Sequence, residues 1–133
     1  MTKRNRLGDL QHAIMRQLWD RGEATVNEVH QALHPERGLA LTTIATMLRK
    51  MGDRGLVTHR TEGRQYVYRA CVNETEVNRS MVGELIDRLF DGQPSELVNH
   101  LVRERDIDAQ ELKRMRALIE DAAGTQAGEG GDA

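Results

Sequence analysis

Several kinds of residue are scarce in this chain of 133 residues, which holds one cysteine, two prolines and 3% aromatic residues. The lone cysteine, Cys71, excludes an intrachain disulfide and any zinc site built mainly on thiolates. No apolar run approaches the roughly 20 residues of a membrane span, and the polar N-terminus lacks the apolar stretch of a signal peptide. The sequence therefore predicts a cytoplasmic protein without a membrane partner, built as one domain or as a domain with an appendage.

Charge is abundant but unevenly distributed. The net charge of −2 hides a basic half and an acidic half. Residues 1–70 carry 12 Lys and Arg against 7 Asp and Glu, whereas residues 71–133 carry 7 against 14. Small domains differ in charge by chance, but this asymmetry is also typical of a nucleic-acid-facing module joined to a separate assembly module.

Apolar residues recur at helical spacing in three segments of the basic half. The first helix is predicted to start at a cap on Asp9. The second starts with a capping box, Thr25 to Glu28, and is predicted to stop at Pro35. The third runs from about Thr42 to residue 54. Its predicted buried stripe consists of Ile44, Met47, Leu48 and Met51.

The sequence pattern then changes from helical spacing to one typical of β-strands. Residues 56–60 and 65–69 are β-prone, and residues 61–64 join them in a hairpin with Gly63 at the turn. Three helices and a hairpin describe a winged helix-turn-helix, whose third helix enters the DNA major groove. We expect threonines on its outer face to read base edges and arginine or lysine to contact phosphates. The predicted DNA-binding residues, including a basic N-terminal arm and the wing, are Arg6, Thr42, Thr43, Thr46, Arg49, Lys50, Arg60 and Arg64.

An outer helical face of this composition is also typical of plain solvated surface, and some winged helices bind protein and not DNA. A third alternative is a repressor released by a small ligand or metal. His30 and His34 have metal-ligand spacing, but Gln31 stands where a zinc protease needs glutamate. Neither a phosphate-binding glycine loop nor a nucleophile elbow is present, so the sequence predicts no enzyme and no cofactor.

Residues 72–122 are predicted to form a helical dimerisation region after a winged-helix domain of residues 1–71. Box-like starts at Asn73 and Asp108 precede apolar helical faces. A two-fold dimer would cover these faces and set the spacing of two recognition helices, whereas an intrachain three-helix cap is the alternative. The glycine-rich residues 123–133 are predicted to be disordered. The predicted dimerisation residues are Val77, Met81, Val82, Leu85, Leu89, Phe90, Leu97, Leu101, Leu112 and Met115.

Over residues 5–122 the chain resembles the penicillinase repressor family of BlaI/MecI type. The matching stretches include Leu-Gly-Asp-Leu-Gln at 7–11, Ala-Thr-Val-Asn-Glu-Val at 24–29, Leu-Thr-Thr-Ile-Ala-Thr-Met-Leu at 41–48, and Gly-Arg-Gln-Tyr-Val-Tyr at 63–68. The resemblance implies a dimeric transcriptional repressor of a promoter DNA dyad, with the interface in the helices after the wing. In some members a membrane sensor peptidase cuts one of these helices, which makes such a peptidase a candidate partner.

The chain departs from that family at three places. Ala40 and Leu41 stand where members often have Ser or Thr followed by Pro, so the third helix starts either there or at a cap on Thr42. His100 and Leu101 correspond to the Asn-Phe pair cut in some members. The cysteine cluster of copper-responsive members is missing after the helices.

Overall fold

The structure is a computed structural model that describes the backbone of residues 7–131 and the side chains of residues 7–125. The chain forms two compact units, Met1–Leu85 and Ile86–Ala133. The elements in chain order are α1 (Asp9–Arg21), β1 (Ala24–Thr25), α2 (Val26–Arg37), α3 (Leu41–Asp53), β2 (Val57–Glu62), β3 (Gln65–Ala70), α4 (Glu74–Leu89), α5 (Pro94–Glu104) and α6 (Ala109–Gly131). The mainly helical winged helix-turn-helix class is confirmed.

The second helix begins with a reciprocal cap, and the first with a single hydrogen bond to its cap residue. In α2 the Thr25 hydroxyl accepts from the Glu28 N–H at 3.2 Å, and the Glu28 carboxylate accepts from the Thr25 N–H at 2.9 Å. These bonds confirm the predicted capping box, and they lower the pKa of Glu28, chiefly through the backbone N–H of Thr25. The cap of α1 is Gly8 and not Asp9, because the Gln11 side chain accepts from the Gly8 N–H.

The second helix continues through Pro35, where the sequence predicted its end. Proline in the last turn removes only the bond that its N–H would give to the Gln31 carbonyl, and Gln31 is exposed to water. The helix ends instead at Gly38, whose φ of 59° lies in the left-handed region. Its N–H donates to the His34 carbonyl at 2.9 Å, which is a favourable glycine C-cap.

The third helix starts at Leu41 with Ala40 as its N-cap, one residue earlier than predicted. Thr42 therefore lies in the first turn, and its hydroxyl is not used as the cap. Ile44, Leu48 and Met51 are fully buried, and Met47 packs against them, which confirms the predicted stripe.

The wing belongs to a three-stranded antiparallel sheet of order β1-β3-β2. The hairpin of β2 and β3 turns at Gly63, where φ is 64°. The short strand β1 adds to the other edge of β3, with Ala24 opposite Tyr68 and Thr25 opposite Val67. The strand β1 could not be predicted from the sequence, since two residues are too few to show an alternation of apolar and polar side chains.

The core of the first unit lies between α1, α2, α3 and the sheet, and it includes the start of α4. The Trp19 indole N–H donates to the Val72 carbonyl at 2.9 Å, and Asn73 caps α4 through the Glu76 N–H. Val77 is fully buried in this core, and Met81 packs against it. Val77 is therefore a core residue and leaves the predicted dimerisation set, because an interface needs an accessible surface.

The second unit contains the end of α4 together with α5 and α6, and none of its described side chains, residues 86–125, is buried. Asp108 caps α6 through the Glu111 N–H, as the sequence predicted. The disorder predicted from residue 123 differs from the structure, in which α6 continues to Gly131. Between residues 7 and 131, no helix is both long and apolar enough to cross a membrane.

Candidate nucleic-acid interface

The outer face of α3 presents the predicted threonines and basic residues. Thr42, Thr43, Arg49 and Lys50 are exposed, and Thr46 is half-buried. Because the N-cap is Ala40 and no side chain caps the helix, the two exposed hydroxyls remain available to an outside partner. Arg49 and Lys50 form no ion pair with any side chain among residues 7–125. The helix therefore offers polar groups near its start and uncompensated positive charge near its end.

A glutamine on α1 helps to hold α3 in place. The Gln11 side-chain oxygen accepts from the Arg54 guanidinium at 3.0 Å, just after the end of α3. Its amide nitrogen donates to the Met47 sulfur at 3.5 Å. Because one side chain is bonded both to the middle of α3 and to the residue that follows it, the outer face of α3 has a fixed orientation on the core.

The wing has an aromatic face on the side of α3. Residues opposite each other in the register share a face, and one face carries the pairs His59 with Tyr68 and Thr61 with Tyr66. The His59 and Tyr66 rings stack with centroids 4.0 Å apart. Burial raises the pKa of Tyr68, and the positive charge of Arg49 partly opposes that rise.

The opposite face of the wing holds a small ion-pair network. Arg60 pairs with Glu23 at 2.7 Å and also with Glu62. The hydrogen bonds that the Arg60 guanidinium donates to these two carboxylates raise its pKa above the ordinary value. Arg60 was predicted to bind phosphate, but its charge is already compensated and it lies on the face opposite to Tyr66. A phosphate contact by Arg60 would have to compete with these two carboxylates.

Arg64 lies at the tip of the wing, next to the turn glycine. It is exposed, and no ion pair joins it to another described residue. It also lines a groove of about 350 Å³ between the wing and the start of α3. Arg64 is thus the wing residue best placed to meet a phosphate. Arg6 of the predicted basic arm lies outside the described residues.

The groove also contains residues that the sequence analysis did not select. Leu41 and Ala45 form its α3 side together with Thr42, and Gln65 and Tyr66 form its wing side. The strand β1 and the start of α2 also line the groove, through Thr25, Val26 and Asn27. Leu41 and Tyr66 are 42% and 50% exposed, and both line this groove. The signal that could have found Leu41 is its place at the first position of α3, outside the buried stripe.

The remaining predicted dimerisation residues differ in exposure. In the first unit Val82 and Leu85 are exposed, and Met81 is half-buried. In the second unit, a mainly apolar groove of about 400 Å³ lies between α5 and α6 and is lined in part by Val98, Leu112 and Met115. The other members of the set within the second unit are exposed Leu89 and half-buried Phe90, Leu97 and Leu101.

The histidine pair on α2 is engaged in local contacts. A ring nitrogen of His30 lies 2.8 Å from the Leu39 carbonyl oxygen, and its ring meets that of His34 edge-on at 5.1 Å. Within the described part of the chain, no group of three His, Cys, Asp or Glu side chains is arranged to hold a metal ion.

Comparison with known proteins gives a consistent result. The family model described as penicillinase repressor matches residues 7–121. A relative named transcriptional regulator BlaI, from Mycobacterium tuberculosis, is 33% identical over 95% of this chain and 94% of its own length. A penicillinase repressor of Bacillus licheniformis is 22% identical over 91% of this chain and 94% of its own. The solution structure of the DNA-binding domain of the repressor BlaI matches with a TM-score of 0.51 and 29% identity, over 57% of this chain and 93% of that one. The chain belongs to the penicillinase repressor family.

Proposed function

We propose that this protein is a dimeric transcriptional repressor that binds a DNA dyad near the promoters it controls. Its family is one of transcriptional repressors and not of enzymes. The observation that carries the proposal is the outer face of α3, where accessible hydroxyls and uncompensated basic side chains lie on one surface beside the wing.

Each subunit would insert α3 into the major groove. Residues at the start of a recognition helix contact base edges, so Thr42, Thr43 and Thr46 would read sequence through their hydroxyl and methyl groups. Arg49 and Lys50 lie further along the helix and would contact phosphates. Arg64 would hold the wing tip against the backbone. The basic excess of residues 1–70 would favour this approach to DNA at long range.

The second unit supports a dimer. Three helical segments without a buried side chain cannot form a core by themselves, and apolar burial is what stabilises short helices. Exposed apolar residues on each helix, such as Leu89, Val102 and Leu112, would gain that burial against a second copy. A two-fold dimer also places two recognition helices about one DNA turn, or a multiple of it, apart.

The control of repression belongs to the same proposal. A sensor peptidase is a candidate partner, because some members of the family are inactivated by cleavage in the region of α5. Here that position is His100 and Leu101, which lie within the helix, exposed and half-buried respectively. Such a peptidase would need to accept this pair in place of Asn-Phe. We place the protein in the cytoplasm, where the promoter DNA is.

The test is fluorescence anisotropy on a labelled duplex from upstream of the protein's own gene, beside a scrambled duplex, at two salt concentrations. We expect preferential binding that weakens steeply with salt. Arg49→Ala or Lys50→Ala should weaken binding to both duplexes and flatten the salt dependence. Thr46→Ala should instead change the preference between duplexes.

The possible negative results have separate meanings. Equal affinity for both duplexes would point to a non-specific binder or to a target elsewhere in the genome. If no duplex binds even at low salt, the groove assignment is wrong and a protein-binding winged helix becomes the better account. If the three substitutions leave binding unchanged, α3 is not the element that meets DNA.

A further inference from the structure

The groove between α3 and the wing has an apolar wall that the proposed contacts leave unused. Leu41 and Ala45 form this wall on α3, and the Tyr66 ring faces them from the wing. We propose that this wall receives the C5-methyl group of a thymine, which makes Leu41 a specificity-determining residue. The inference rests on the proposed function, since it assumes that α3 lies in the major groove.

The position of the wall favours a base as its occupant. Leu41 is the first residue of α3, and Ala45 follows one turn later on the same side. The N-terminal residues of a recognition helix are the ones that approach base edges. Thr42 borders the groove next to Leu41 and faces the same partner, so the wall is continuous with the proposed reading surface.

The chemistry of the wall favours thymine among the four bases. Only thymine presents an apolar group, its C5-methyl, in the major groove. Leu41, at 42% exposure, and Tyr66, at 50%, gain free energy when an apolar group covers them. Leu41 and Ala45 offer no hydrogen bond, so an amino or carbonyl edge placed against these two side chains would lose water without gaining a partner there. The site therefore accepts a methyl group and disfavours a polar edge.

Charge beside the wall offers an anchor for the DNA backbone. Arg64 lines the same groove and forms no ion pair with the described residues, so it can hold a phosphate of the DNA backbone. The wing side of the wall is also preformed, because the Tyr66 ring stacks on His59 with centroids 4.0 Å apart. Little ordering of the Tyr66 side chain is then needed when DNA binds, which favours discrimination between bases through direct contact.

The experiment removes the methyl group from the DNA. An operator duplex is first recovered by selection from a random library on the full-length protein, with binding and its salt dependence compared with a scrambled duplex. Each thymine of one half-site, with its symmetry mate, is then replaced by deoxyuridine, which lacks only the C5-methyl. We expect one position at which the replacement weakens binding by about fourfold per half-site, the value for burial of one methyl group.

The protein variants assign that effect to the wall. Leu41→Ala should bind the thymine duplex as weakly as the wild type binds the deoxyuridine duplex, and should show no further loss on deoxyuridine. Leu41→Met keeps an apolar side chain of similar size and should retain the discrimination. Thermal unfolding of both variants checks that the exposed position leaves the fold intact.

Four results overturn the inference, and one of them also tests the proposed function. If no thymine position responds to the replacement, the wall does not read a methyl group although the protein still binds its operator. The same follows if deoxyuridine lowers the affinity of Leu41→Ala and of the wild type equally. If Leu41→Ala instead changes the mass of the DNA-free protein, the wall is a contact between copies of the chain. If selection yields no duplex that is preferred over the scrambled one, the proposed function fails as well.

Discussion

The two arginines of the wing are predicted to behave differently towards DNA. Arg64 is exposed at the tip without an ion pair to a described residue, whereas Arg60 is held between Glu23 and Glu62 on the face opposite to Tyr66. Removing Arg64 should therefore remove a phosphate contact from each subunit. Removing Arg60 together with Glu62 keeps the net charge constant and should remove no phosphate contact.

The magnitude follows from counterion release. Each neutralised phosphate contributes about 0.9 to the slope of log affinity against log salt, so Arg64→Gln in a dimer should flatten the slope by about 1.8. Between about 50 and 200 mM salt, the affinity of the wild type should therefore fall roughly twelvefold more than that of the variant. The double variant Arg60→Gln/Glu62→Gln is the matched control, and its slope should equal that of the wild type.

The assay is anisotropy of one labelled operator at four or more salt concentrations, so that the slope and not a single affinity is compared. Equal flattening by both variants would refute the reasoning, because it would mean that the ion-paired face of the wing meets DNA. An unchanged slope for Arg64→Gln would mean that the wing tip contacts no phosphate, even if α3 itself binds DNA.

Four further predictions concern stability and assembly. Thr25→Ala should lower the free energy of unfolding by about 1 kcal/mol in urea titration, because the α2 cap is lost. Val77→Ala should lower the free energy of unfolding by about 2 kcal/mol without changing the mass of the dimer. Leu112→Glu should weaken self-association at least about tenfold in sedimentation, since an unpaired carboxylate is costly to bury. Tyr68→Phe should reduce the loss of stability at alkaline pH.

The sign of the last prediction follows from burial. Burial raises the folded-state pKa of Tyr68 above its ordinary value of 10.0, so the folded protein keeps the proton that the unfolded chain loses. Stability is then full below pH 10 and falls as the pH rises from there towards the folded-state pKa. A wild type whose unfolding free energy is as insensitive to alkaline pH as that of the variant would contradict this account.

The controls for the other three are equally direct. Ser at position 25 keeps an oxygen acceptor for the Glu28 N–H, so Thr25→Ser should retain most of the stability that Thr25→Ala loses. A shift to monomers caused by Val77→Ala would contradict its assignment to the core. Unchanged self-association of Leu112→Glu would exclude the groove between α5 and α6 from the dimer interface.

The parts of the fold that depend on local rules could be predicted from the sequence. The buried stripe of α3, the capping box at Thr25 and the caps at Asn73 and Asp108 each depend on residues within one or two turns. The pairing of Arg60 with Glu23 could not be found in this way, because the two residues are 37 positions apart and meet only when β1 joins the sheet.

The same limit applies to the candidate interface. Helical spacing correctly placed Thr42, Arg49 and Lys50 on the outer face of α3. It did not reveal the groove beside Leu41, since the wing side of that groove comes from a strand more than 20 residues later. The assignment of Val77 to an interface went wrong for a related reason. Its spacing matched the apolar face of α4, but the start of that helix packs on the first unit.

The hydrogen bond between Trp19 and the Val72 carbonyl gives this protein an optical probe of its own. Trp19 is the single tryptophan of the chain, and its indole joins α1 to the segment that leads into α4. Its ring also meets His12 edge-on at 5.9 Å. The emission of this one indole therefore reports on the anchoring of α4, so that loosening of this joint during DNA binding or cleavage can be followed without a label.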